Sequence, residues 1–313
     1  MGLPGWRVFT GRRGVRLARR GPADLRRAIL PLRSFTLAAV SRHTGAFDMT
    51  KILASILAFW ASCTTSLAHF QLIYAENAVL TETGTVPLKL LFWHPFENGT
   101  VMDMAPPQEV FAVHRGDRID LTDSLEETVF KGAENEGAAY NVSLPVKRSG
   151  DYVLAVVPEP YLEESEDTYI QQFTKAYVNR RGLPTDWTDA VGLPAEILPL
   201  VKPYNVISGS TFTGRVMRDG APVAGAEIEV EYMAAEPDLA TNRPGPVTAT
   251  PPPGGAVVIL SDDEGYFSFG VPKAGHWGFA ALGVGPETEF NGKALSQDAV
   301  IWIQAQDIAS GAN

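Results

Sequence analysis

From residue 69 onward the chain breaks into short apolar runs rich in Val, Leu, Phe and Tyr, among them Val86 to Trp93, Glu109 to Val113 and Tyr152 to Val157. Runs of that length and composition make strands rather than helices. Turn signals stand between them, namely Asn98-Gly99, Arg115-Gly116-Asp117, Gly132 and Ser149-Gly150-Asp151. Their spacing predicts an antiparallel sandwich over residues 69–179. Within it, Asp151 to Val157 is expected to be buried on one or both faces.

The Gly150 to Val157 run follows the basic pair Lys147-Arg148 and looks like the penultimate strand of an immunoglobulin-like sheet. Residues 180–203 are punctuated by proline and follow neither the strand nor the helix period, so they read as an ordered connector. Residues 204–305 have a grammar of their own: a strand at Phe212 to Val216, a tight turn Gly220-Ala221-Pro222-Val223-Ala224-Gly225-Ala226, a second strand, and an Asp-x-x-Gly-x-Phe hairpin at Asp262 to Phe267. That order resembles transthyretin-like, carboxypeptidase-regulatory-like sandwiches. Its glycines serve the backbone, because such turns need positive φ. Residues 233–256, rich in Pro, Ala, Thr and Gly, are expected to form a mobile loop, and residues 306–313 a tail. The chain is therefore expected to be all-β: two antiparallel β-sandwich domains following a disordered leader and a signal peptide.

The leader, residues 1–48, holds ten Arg against two Asp and has no apolar periodicity. It reads either as a start assigned too far upstream or as a long or twin-Arg-like leader, with Arg12-Arg13 and Arg19-Arg20 outside a good twin-Arg context. Residues 49–68 have the three-part grammar of a signal peptide: Met49-Thr50-Lys51, an apolar run Ile52 to Trp60, and small residues ending Ser66-Leu67-Ala68. The run is too short to span a bilayer, which takes about 20 residues. Cleavage after Ala68 would make His69 the amino terminus and place the protein in the periplasm. Cys63, the single cysteine, would leave with the signal peptide, and Trp60-Ala61-Ser62-Cys63 is a poor lipobox.

Removal of residues 1–68 takes 11 of the 26 basic residues and 2 of the 36 acidic ones, leaving 15 against 34 and a formal charge of −19. Such a surface disfavours nucleic acid and anionic lipid, whose binding depends on Lys and Arg. Cations are the natural partners. The chain has no Gly-x-Ser-x-Gly elbow, no His-Glu-x-x-His and no phosphate or dinucleotide glycine motif, so it reads as a binder and not an enzyme.

Four histidines remain after residue 68: His69, His94, His114 and His276. An N-terminal His69 would offer an α-amine and an imidazole to one ion, nitrogen ligands that suit nickel and copper. His94 lies in Phe92-Trp93-His94-Pro95-Phe96-Glu97-Asn98-Gly99, just before Met102-Asp103-Met104. His69, His94, Glu97, Asp103 and Met102 are the candidate metal ligands. The alternative stands beside them: a packed histidine with Met102 and Met104 filling gaps. His114, at a strand end, is expected to face solvent. His276 is undecided between packed and exposed. The acidic stretch Glu159, Glu163, Glu164, Glu166, Asp167 lacks the pattern of a calcium loop and reads as a solvated turn.

Several stretches together resemble an exported bacterial family of unknown function that includes periplasmic accessory components of nickel and cobalt energy-coupling-factor transporters. They are Ala68 to Leu72, His94 to Gly99 with Met102-Asp103-Met104, Gly192 to Ile197, Pro199-Leu200, Lys202-Pro203-Tyr204 and Gly275 to Leu282. The resemblance runs from His69 to about Gln304. It implies that Ni(II) or Co(II) is the transported ion, with a membrane transporter component as partner. Copper, or an envelope protein with a purely structural or recognition role, remain the alternatives.

Overall fold

The computed structural model describes residues 69–254 and 256–308; the leader and signal peptide expected over residues 1–68 lie outside them. The described residues are all-β, with one 3-10 turn at Thr122–Ser124, and no helix among them is long and apolar enough to cross a membrane. The principal strands are β1 (Phe70–Tyr74), β2 (Gly84–Trp93), β3 (Glu109–His114), β4 (Glu126–Lys131), β5 (Glu136–Val146), β6 (Gly150–Val157), β7 (Tyr161–Glu163), β8 (Thr168–Arg180), β9 (Ala195–Pro199), β10 (Thr211–Arg218), β11 (Glu227–Tyr232), β12 (Val257–Leu260), β13 (Tyr266–Gly270), β14 (Gly275–Ala281) and β15 (Lys293–Gln306).

Two cores form, each drawing on residues from both segments, 69–179 and 204–305, and they share a sheet. A five-stranded sheet contains the order β1-β2-β5-β4. A twelve-stranded sheet runs β12-β11-β14-β15-β8-β6-β3, with β7 joined to β8. A four-stranded sheet carries β10 flanked by β9 and β13. In the middle of the long sheet both faces are buried. Tyr152, Leu154 and Val156 of β6 enter the core that contains Phe70, Leu72 and Trp93 of the first sheet. Val153 and Ala155 enter the core that contains Ile197, Phe212 and Phe267 of the third. Burial of each such Val or Leu contributes about 1.5–3 kcal/mol, which accounts for the unbroken apolar run of β6. The halves join where β8 and β15 pair in parallel, Tyr169 opposite Leu295 through Lys175 opposite Ile301.

Side chains brace the connector and the insertion. The Asp151 carboxylate accepts from the backbone N–H groups of Thr185, Asp186 and Trp187, and Glu196 accepts from those of Val191 and Gly192. Residues 233–256, expected to be a loop, contain a short ladder, Pro237–Asp238 with Arg243–Pro244. Asn242 in that ladder's turn receives Lys89 Nζ and donates to Thr128 Oγ1 at 3.1 Å. Met233, Ala234 and Ala235 are buried.

Candidate metal centre

The antiparallel register of β1 and β2 sets Phe70 opposite Trp93 and Gln71 opposite Phe92. One step beyond the ladder, His69 meets His94. Directly opposed residues have Cβ atoms about 4.5–5.5 Å apart, and the two imidazole centroids lie 4.4 Å apart, tilted by 49°. Residues 25 positions apart in sequence thus converge because of strand pairing alone.

Both positions are held from behind. The free edge of β1 is covered by side chains of the long sheet: Gln172 Oε1 accepts from Gln71 N–H at 2.7 Å, and Trp302 Nε1 donates to the Gln71 carbonyl at 2.9 Å. Gln172 Nε2 donates to the His69 carbonyl at 2.7 Å. On β2, the turn after His94 closes with the Gly99 N–H on the His94 carbonyl at 3.1 Å, while Trp93 Nε1 binds the Gly99 carbonyl at 2.9 Å. A Cβ on Gly99 would stand 3.3 Å from the His94 Cβ, so glycine lets the turn fold tightly against the ligand candidate. His94 is buried.

Glu163, at the end of β7, completes the cluster. Its Oε1 accepts from the Ser165 hydroxyl and N–H at 2.6 and 3.1 Å, which leaves Oε2 facing His69 Nε2 at 3.2 Å. Burial lowers the His69 pKa below the usual imidazole range, against the opposing pull of Glu163 and Glu166. Burial alone would raise the Glu163 carboxyl, but the two Ser165 bonds and the neighbouring His69 and His94 outweigh it and hold the group below its ordinary value. A neutral imidazole beside a carboxylate is the protonation state a metal ion requires.

Of the residues expected from sequence, the structure brings His69 and His94 together. Met102 is buried opposite Phe92 in the strand register. Asp103 is exposed and accepts from the Ala138 N–H at 2.9 Å. Glu97 is exposed at the turn. Met104 is buried, with its sulfur 3.5 Å from Gln71 Nε2. Among the described residues no group of three His, Cys, Asp or Glu has the arrangement of a metal site; the cluster is an imidazole pair with a carboxylate on one ring. Glu163 was hidden in a run of acids read as a solvated turn. What marks it is its place in a hairpin that folds back to the His69 end of β1.

The other histidines are structural. His114 is not a solvent-facing turn residue: it is buried and stacked on Tyr152 with centroids 4.1 Å apart at 9°, and its Nδ1 lies 2.8 Å from the Asp151 carbonyl. Gly150, at φ +130°, makes room for it, since a Cβ there would lie 3.2 Å from the ring. His276 packs edge-on against Tyr74 and pairs its Nδ1 with Glu236 at 2.8 Å.

Residues 66–285 match the profile of the domain of unknown function DUF4198. The chain belongs to this family. The DUF4198 match takes in His69, His94 and Glu163 together with most of both cores. No curated protein matches the chain. Among solved structures, the D0-D1 domain of intimin is similar at 12% identity over 74% of this chain and 96% of its own, with a TM-score of 0.18. A chimeric titin Z1Z2 tandem is similar at 13% identity over 76% of this chain and 100% of its own, with a TM-score of 0.18. Trypsin-activated alpha-2-macroglobulin from Escherichia coli is similar at 11% identity over 77% of this chain and 16% of its own, with a TM-score of 0.20. Scores this low carry no functional argument.

Proposed function

We propose that this DUF4198 protein works outside the cytoplasm as a metal-binding accessory, capturing Ni(II) or Co(II) at the His69 end of β1 and passing the ion to a membrane transporter. The observation that carries the reading is the approach of His69 and His94, with centroids 4.4 Å apart. Imidazole nitrogens suit these ions, and carboxylate partners commonly orient a ligating histidine.

The roles divide by atom. Glu163 faces Nε2 of His69 and fixes the ring with its proton on that nitrogen. Nδ1 is then the free donor, and it is the nitrogen that closes a six-membered chelate with the α-amine once cleavage after Ala68 has released it. His94 supplies the second imidazole. The excess of acids after residue 68, 34 against 15 bases, draws cations to the surface.

Calorimetric titration of the processed protein with Ni(II), Co(II) and copper tests this reading. The expected result is Ni(II) or Co(II) binding at about micromolar affinity or tighter, lost in His69→Ala and weakened when one residue is left before His69. That extension keeps the imidazole and removes the α-amine from the chelate. Absence of heat or spectral change with every ion overturns the proposal, and tight binding of copper alone moves it to copper.

A further inference from the structure

A cavity of about 240 Å³ opens beside the β7–β8 hairpin, roughly eight water volumes at about 30 Å³ each. We infer that it is a separate ligand site, built for a small organic cation with a flat apolar body, such as an arylalkylammonium ion. Its lining is largely apolar and aromatic, with Phe92, Tyr161 and Tyr169 in it, and its floor also holds the amides of Gln71 and Gln172. Phe92 and Tyr161 meet edge to face, with centroids 5.3 Å apart at 85°, and form a fixed aromatic corner.

The charged residues lining the cavity are Asp103 and Glu159, both acidic and both exposed at its rim, and no Lys, Arg or His lines it. The amides of the floor are already committed. Gln71 Nε2 donates to the Leu72 and Leu91 carbonyls at 3.2 Å each, and Gln172 Nε2 donates to the His69 carbonyl. An anionic ligand would meet the two rim carboxylates, and among the lining side chains only the Tyr161 and Tyr169 hydroxyls would be left to donate to it. A flat apolar group can stack in the aromatic corner while its ammonium lies between the rim carboxylates and over a ring face, where cations are favoured. Neither His69 nor His94 lines it, but the His69 ring packs behind Phe92 and Tyr161, with centroids 5.6 and 6.3 Å away, so binding is measured without metal.

The probes are three compounds of nearly equal size, 2-phenylethylammonium, 2-phenylethanol and phenylacetate, titrated by NMR into the protein stripped of metal with a chelator. The ammonium is expected to bind in the range of about 0.1–1 mM, as suits a ligand of roughly nine non-hydrogen atoms. The alcohol should bind about fivefold or more weakly and the acid more weakly still. In Asp103→Asn/Glu159→Gln the preference for ammonium over alcohol should vanish while binding of the alcohol stays unchanged. Both changes are on exposed side chains, and Asn keeps the acceptor for the Ala138 N–H. Equal binding of ammonium and alcohol, no saturable shift with ammonium up to about 10 mM, or a preference that survives the double substitution would each overturn the assignment.

Discussion

Two pairings of a carboxylate with a nitrogen base stand in contrast. In the interior, Lys175 of β8 is 0% exposed, and its Nζ lies 2.8 Å from Glu196 Oε2. Glu196 also accepts from two connector N–H groups, so the charge is enclosed on every side. At the His69 end of β1, Glu163 spends one oxygen on Ser165 and turns the other to an imidazole that packs, tilted by 49°, against a second imidazole. The first pair closes the fold. The second sets two imidazole rings beside one another just past the end of a strand ladder.

The sharpest break between the two should come from Glu196→Ala. Removing one member of a buried pair strands the other charge, and the expected loss is about 3–5 kcal/mol in denaturant unfolding. A loss below about 1 kcal/mol would show that Lys175 is already neutral there, since burial pushes its pKa down. Glu163→Gln is the matching change at the other pair. It keeps an acceptor for His69 Nε2 and removes the charge, so Ni(II) affinity should fall about 10-fold or more while stability shifts by less than about 1 kcal/mol. Equal affinity in the variant would remove Glu163 from the site.

A third carboxylate sharpens the comparison because among the described residues no base is paired with it. Glu229 is pushed up to about 7 by burial, with Asp298 and Glu227 adding repulsion, from an ordinary value of 4.5. Its contribution to stability is full below about pH 4.5 and is lost as pH rises through 7. Glu229→Gln is therefore expected to stabilise the protein by about 1–2 kcal/mol at pH 8 and by almost nothing at pH 4.5. Thermal unfolding at the two pH values checks it, and a destabilised variant at pH 8 would reveal a cation partner for that group. The smallest effect is a shift along the pH axis: the α-amine of the processed chain, with an ordinary pKa of about 7.7–8.0, should weaken Ni(II) binding as pH falls below about 8, and because burial holds His69 below the imidazole range its ring should add to that loss only in more acid solution.

Strand content, turns and both candidate imidazoles were legible in the sequence, because alternation, glycine placement and residue type are local. Their convergence was not, since His69 and His94 meet only through the register of β1 on β2. Glu163 was lost for a related reason: five acids in one short stretch look alike until a hairpin turns one of them inward. His114 was misjudged because nothing nearby in sequence announces the Tyr152 ring that covers it. The shared sheet left one trace, the continuous apolar run of β6, which only a strand buried on both faces requires.

Parallel pairing of β8 with β15 over seven consecutive residue positions gives the molecule no hinge between its two cores. A clamshell carrier opens by rotating one body against another about a linker. Here such rotation would tear a ladder out of the middle of a sheet, so the cores should melt in a single transition. Under the proposed metal role, an ion at the His69 end would leave without any jaw to open, by trading protein donors one at a time for those of an acceptor that reaches the rim.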